Sequence, residues 1–96
     1  SSYIIVMLAR QLRLVLMAQE LVAERMTKDE VGRRLGLTAS LPLRKTMEQA
    51  GRYSQWQMIA MHRRLMDTDL AIKRGAVASE LALETLVAEL CGVARE

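Results

Sequence analysis

Ninety-six residues are enough for one domain and too few for two. A chain of this length hides only about 60–65 % of the surface its unfolded form exposes, so nearly every element must feed the core. Apolar residues make up 51 %, Phe is absent, and Trp56, Tyr3 and Tyr53 are the whole aromatic complement, which leaves aliphatic residues, Met and Ala to fill that core and favours helices over sheet. The single cysteine, Cys91, excludes an intrachain disulfide, and a cytoplasmic location is expected. The apolar run from Tyr3 to Ala9 is far short of the ~18 residues a membrane span needs, and no cleavable signal pattern precedes it, so no membrane role is expected. Ser1-Ser2 leads straight into a helical pattern without an initiating Met, so the sequence is expected to be an excised piece of a longer protein.

From Tyr3 to Met26 there is no proline or glycine, and at about 100° per residue Arg10, Arg13, Glu20 and Glu24 fall in one narrow stripe. One apolar sector holds Ile5, Leu8, Leu12, Val15 and Leu16, and a second holds Met7, Leu14, Met17 and Leu21. A helix apolar on both sides is either central in its bundle or shared with a neighbouring subunit. Thr27 opens a second helix, with Glu30 three residues on to complete a capping box and Gly36 as its left-handed stop. A third begins near Ser40 or Leu41 with Pro42 in its first turn, where the missing N–H costs nothing. Ser54 caps a fourth, which ends at Lys73 and Arg74 before Gly75. After a linker, 76–78, Ser79 is expected to cap a fifth that carries Leu83, Leu86, Val87 and Leu90 on one face. The prediction is an all-α, single five-helix bundle over 1–96, with helices near 3–26, 27–35, 41–52, 54–74 and 79–92 and a core of Leu8, Leu12, Leu16, Leu35, Ile59, Met66, Leu70, Leu86 and Leu90.

Catalytic chemistry finds little to stand on. The lone histidine, His62, and the lone cysteine lie nearly 30 positions apart, which gives no zinc spacing and no nucleophile–base pair. His62 shares a sector with Met58, Ile59, Leu65, Met66 and Leu70, so a partly buried, hydrogen-bonded histidine is expected rather than a ligand or general base. No glycine-rich loop ends in Lys and Ser or Thr, and Cys91 is read as a small buried hydrophobe on the inner face of the last helix. No catalytic residue, metal or cofactor is therefore expected. Gln19, on an apolar face, must find a hydrogen-bond partner if buried. Asp69 and Lys73, spaced i,i+4, either form a structural polar pair or reach water.

The basicity is local. Residues 25–52 carry a net charge of +4 and the remainder −1. That segment reads Thr-Lys-Asp-Glu-Val-Gly-Arg-Arg-Leu-Gly-Leu-Thr-Ala-Ser, a capped helix and a glycine turn before another helix, which is the grammar of a helix-turn-helix. A DNA-binding regulator is thus one reading. Against it, Leu41, Pro42 and Leu43 stand where side chains would meet base edges, and none has a side-chain hydrogen-bonding group. Arg33, Arg34, Arg44 and Lys45 then form either a solvated face, with Glu30 pairing to Arg34, or a weak nucleic-acid face.

Ordered blocks along the chain carry more. They are Leu8-Ala9-Arg10-Gln11-Leu12-Arg13, Leu35-Gly36-Leu37, Glu48-Gln49-Ala50 with Tyr53-Ser54, Asp69-Leu70-Ala71-Ile72-Lys73-Arg74-Gly75 and Leu81-Ala82-Leu83-Glu84. In this order and spacing, over nearly the whole chain, they resemble the C-terminal helical domain of the delta subunit of bacterial DNA polymerase III, a clamp-loader protein. Gly51 departs from the arginine expected there, and the connection 38–42 is a variable stretch. The resemblance implies a helical collar domain that joins DnaX-type (gamma/tau) and delta-prime-type subunits into a clamp loader for DNA replication. It implies contact with the sliding clamp only through an N-terminal domain outside these residues, at most weak or indirect contact with DNA, no membrane, and no catalysis by this segment of a nucleotidyltransferase holoenzyme. Leu14, Met17, Leu21 and Leu81 are the candidate partner interface, the alternative being that helices of the same bundle cover them.

Overall fold

The computed structural model describes residues 3–75 and 78–96, which form five α-helices and no strand. They are α1 (Tyr3–Ala23), α2 (Lys28–Leu35), α3 (Ser40–Arg52), α4 (Gln55–Lys73) and α5 (Ser79–Ala94). The all-α bundle is the one the patterning predicts. Of the expected linker, positions 76 and 77 lie outside the described residues, as does the Ser1-Ser2 opening.

Each boundary has a local cause. Arg25 takes a left-handed φ of 64°, its N–H donating to the Val22 carbonyl at 2.9 Å while Met26 N–H donates to Leu21 at 3.2 Å. This closure satisfies the last carbonyls and stops α1 at Ala23, short of the expected Met26. At α2 the capping box is complete: Thr27 Oγ1 accepts from Glu30 N–H at 3.3 Å, and Glu30 Oε1 accepts from Thr27 N–H at 3.3 Å. Gly36, at φ 71°, ends the helix. Ser54 and Gln57 cap α4 in the same reciprocal way, at 3.0 and 2.8 Å. At α5 the expected cap is displaced by one residue. Ala78 occupies the capping position and has no side chain to offer, so Ser79 is the first helical residue.

The spine of the fold is α1, which packs against α2, α3 and α4, while α4 pairs with α5. Its two halves bury different sides. The C-terminal half gives Leu14 and Ala18 to Val31, Leu35 and Leu43 of α2 and α3. Its N-terminal half gives Ile5 and Ala9 to Leu65 and Leu86 of α4 and α5, and Val15 between them joins Met58, Met61 and Val93. Small residues set the closest approaches: a Cβ on Gly32 would fall 2.8 Å from Leu43 Cδ2 and 3.0 Å from the Leu37 carbonyl oxygen.

The core differs in part from the expected set. Leu35 and Leu86 are buried, and Leu8, Leu12, Leu16, Ile59 and Leu90 are half-buried. Met66 and Leu70 are exposed, because α4 turns Met58, Met61 and Leu65, spaced three and four apart, toward its neighbours. Cys91, read as inward-facing, is exposed, and Val93 takes the inner position near the end of α5. The molecule measures 44 × 26 × 19 Å.

Candidate functional site

Polar side chains tie the helices across their seams. Gln11 Nε2 donates to Thr46 Oγ1 at 3.2 Å and Gln49 Oε1 at 2.8 Å, joining α1 to α3. Eight residues on, Gln19 Nε2 donates to the carbonyls of Ala50 at 3.3 Å and Tyr53 at 2.9 Å, at the C-terminal end of α3 where helical N–H partners run out. Gln57 Nε2 reaches the Val93 carbonyl at 3.1 Å, and Arg64 meets Glu89 at 2.8 Å, both between α4 and α5. Only Gln19 is conspicuous in the sequence. Gln11, Gln57 and Arg64 stand at amphipathic boundaries, where a polar residue is ordinary.

Asp69 Oδ2 lies 2.7 Å from Lys73 Nζ, and Asp69 Oδ1 is buried without a hydrogen-bond partner. The expected hydrogen bond of His62 is not made: its Nε2 is buried and unpartnered. Glu30, expected to pair with Arg34, turns instead to Thr27, whose hydroxyl also donates to Glu30 Oε1 at 3.0 Å. The Thr27 side chain and then its backbone N–H hold the Glu30 carboxyl below the ordinary glutamate range. Among the described residues no group of three or more His, Cys, Asp or Glu could hold a metal ion, and no helix is long and apolar enough to cross a membrane.

Two surfaces remain. Arg33, Arg34, Arg44 and Lys45 are all exposed on α2 and α3, and among the described residues none of them is in an ion pair. Apolar side chains are exposed mostly on the other helices: Tyr3, Ile4, Val6 and Met7 near the start of α1, Met66 and Leu70 on α4, and Leu81 and Val87 on α5, with Met17, Val22, Leu41 and Trp56 exposed outside this group. The first eight belong to the three helices that meet in the Ile5, Ala9, Leu65 and Leu86 cluster. Of the candidate interface residues, Met17 and Leu81 are exposed at 46 % and 57 %, and Leu21 is half-buried against the α1–α2–α3 cluster. Leu14 is a correction: at 9 % exposure it is core, filled in by α2 and α3, and has no area left for a partner. An open cleft of about 700 Å³ lies between the C-terminal ends of α1 and α3 and the start of α4, lined by Val22, Met47, Ala50, Tyr53 and two carboxylates, Glu20 and Glu24. Its lining has no histidine, cysteine or serine.

Five helices on a central α1, capped and closed at these positions, is an arrangement that can be compared with known domains. A family model for the C-terminal domain of the DNA polymerase III delta subunit matches residues 2–90. The chain belongs to that family. No curated protein and no solved structure showed a match. For this delta-type domain, the match runs from the start of α1 almost to the end of α5 and so takes in both the apolar and the basic surface.

Proposed function

We propose that this delta-type domain is an oligomerisation, or collar, module that helps assemble the clamp loader for DNA replication and performs no chemistry of its own. The observation that carries the reading is that apolar side chains, Ile4, Val6 and Met7 with Met66, Leu70, Leu81 and Val87, are exposed on the three helices that build the Ile5–Leu65–Leu86 cluster. An apolar surface of that kind on a small domain marks an interaction site. Membership in the delta-subunit family supports DnaX-type (gamma/tau) and delta-prime-type subunits as the partners, in the cytoplasm. The sliding clamp would be met through other parts of the subunit, of which residues 1–96 form the C-terminal helical domain.

The test places charge on that surface in the intact subunit. Ile4→Glu with Leu81→Glu should leave helicity and melting temperature unchanged, since both positions are exposed, and weaken assembly with the partner subunits at least tenfold. Met17→Glu, alone and in combination with them, asks whether the interface extends along α1. Assembly of the Ile4→Glu, Leu81→Glu variant with unchanged affinity would overturn this reading.

A further inference from the structure

We propose that the outer face of α2 and α3 binds the phosphate backbone of duplex nucleic acid without reading its sequence. The charge is concentrated there: +4 over residues 25–52, in a chain whose other residues sum to −1. Arg33, Arg34, Arg44 and Lys45 are exposed and, among the described residues, none is in an ion pair, so their guanidinium and ammonium groups are open to a ligand. Glu30, hydrogen-bonded to Thr27, keeps its charge and offsets part of that of Arg33 and Arg34, while the segment as a whole stays at +4. Phosphate oxygens are the natural acceptors for such unpaired guanidinium and ammonium groups.

The same face argues against other polyanions. Val31, Leu35 and Leu43 turn inward and Leu41 is the one large apolar side chain exposed on α2 and α3, too little apolar area to anchor a helix in a lipid interface. Tyr3, Tyr53 and Trp56, the chain's aromatics, all lie outside α2 and α3, which leaves no stacking platform for a single strand. Base readout is also missing: Leu43 is buried, and Leu41 and Pro42 offer no hydrogen bonds. α2 and α3 bury Leu14 and Ala18 of α1, whereas Ile4, Met7, Leu81 and Val87 lie on the helices that meet at Ile5 and Ala9, so the basic side chains and those apolar ones sit on different elements.

Fluorescence anisotropy of a labelled mixed-sequence 20-base-pair DNA, titrated with the chain between 50 and 200 mM NaCl, tests the proposal. The expected result is sequence-indifferent binding in the ~10⁻⁴–10⁻⁶ M range, falling with salt at a slope of about −0.9 per phosphate contacted, and so no steeper than about −4 for these four cations. Arg44→Gln with Lys45→Gln should flatten that slope by ~2, as should Arg33→Gln with Arg34→Gln, whereas Arg10→Gln with Arg13→Gln on α1 should leave it unchanged. Each pair is read beside its circular-dichroism spectrum, and the two basic pairs serve as independent replicates. Absence of binding at 50 mM NaCl overturns the proposal. So does a slope untouched by both basic pairs in their folded state, or tighter binding to a single strand, to phosphatidylserine vesicles or to polyglutamate than to the duplex.

Discussion

A methyl group is a sharp probe of this molecule, because its glycines occupy opposite environments. Gly32→Ala should destabilise by about 1–3 kcal/mol despite the better helix propensity of alanine, since the new Cβ would meet Leu43 Cδ2 at 2.8 Å and backbone at 3.0 Å. Gly51→Ala and Gly92→Ala meet nothing within 4 Å and should each stabilise by about 0.5–1 kcal/mol. Urea denaturation of the three variants checks the contrast, and a stabilised Gly32→Ala would mean that α2 and α3 stand further apart than described. On the same scale Leu86→Ala should cost about 2–5 kcal/mol and exposed Met66→Ala less than about 1. The need of Gln19 for a partner is legible in the sequence, because a polar side chain flanked by Val15, Leu16, Val22 and Ala23 cannot be left unpaired cheaply. Which groups answer it is not, since the Ala50 and Tyr53 carbonyls come near only through packing of α3 on α1.

At the level of elements, the ends of the helices are the readable part. Capping is a contest over three or four consecutive residues, so Thr27 with Glu30 and Ser54 with Gln57 announce their helices before any tertiary contact exists. The start of α5 was not readable in the same way, because Ala78 and Ser79 compete for one position and no box partner breaks the tie. Ala78→Asp should therefore stabilise the domain by about 1 kcal/mol, seen as a raised melting temperature. Thr27→Ala should cost about 0.5–2 kcal/mol, concentrated in the eight-residue α2. It should also release Glu30. With its pKa depressed in the folded state, Glu30 contributes stability that is present above the ordinary glutamate range and lost as pH falls through its folded value. An NMR titration of the Glu30 carboxyl should show its pKa rising toward the ordinary value in Thr27→Ala, and an unchanged titration would rule the cap out as the cause.

Taken whole, the molecule is longer than its mass requires: a radius of gyration of 14.5 Å exceeds the ~12.5 Å of a compact chain of this size. The excess follows from packing α2 and α3 against the later turns of α1 while α4 runs back along it to the first turns, and it explains why a single helical wheel misplaced the core. Averaged over its length, α1 points to Leu8, Leu12 and Leu16, yet its N-terminal half is buried through Ile5 and Ala9 and its C-terminal half through Leu14 and Ala18. The bundle and the capped boundaries of α2 and α4 could be read from period and caps, whereas the stop of α1 at Ala23, the change of buried side along it, and with that the loss of Leu14 from the candidate interface, could not. Hydrogen exchange should follow this division, with α2, eight residues packed chiefly on α1, protected less than α4; equal protection would mean that the bundle opens as one unit. Finally, α1 runs about 30 Å without a glycine or proline to bend it, which makes it a lever. A tilt of about 5° imposed where the apolar end is gripped would swing the far end by ~3 Å, so whatever seats one end also aims the other.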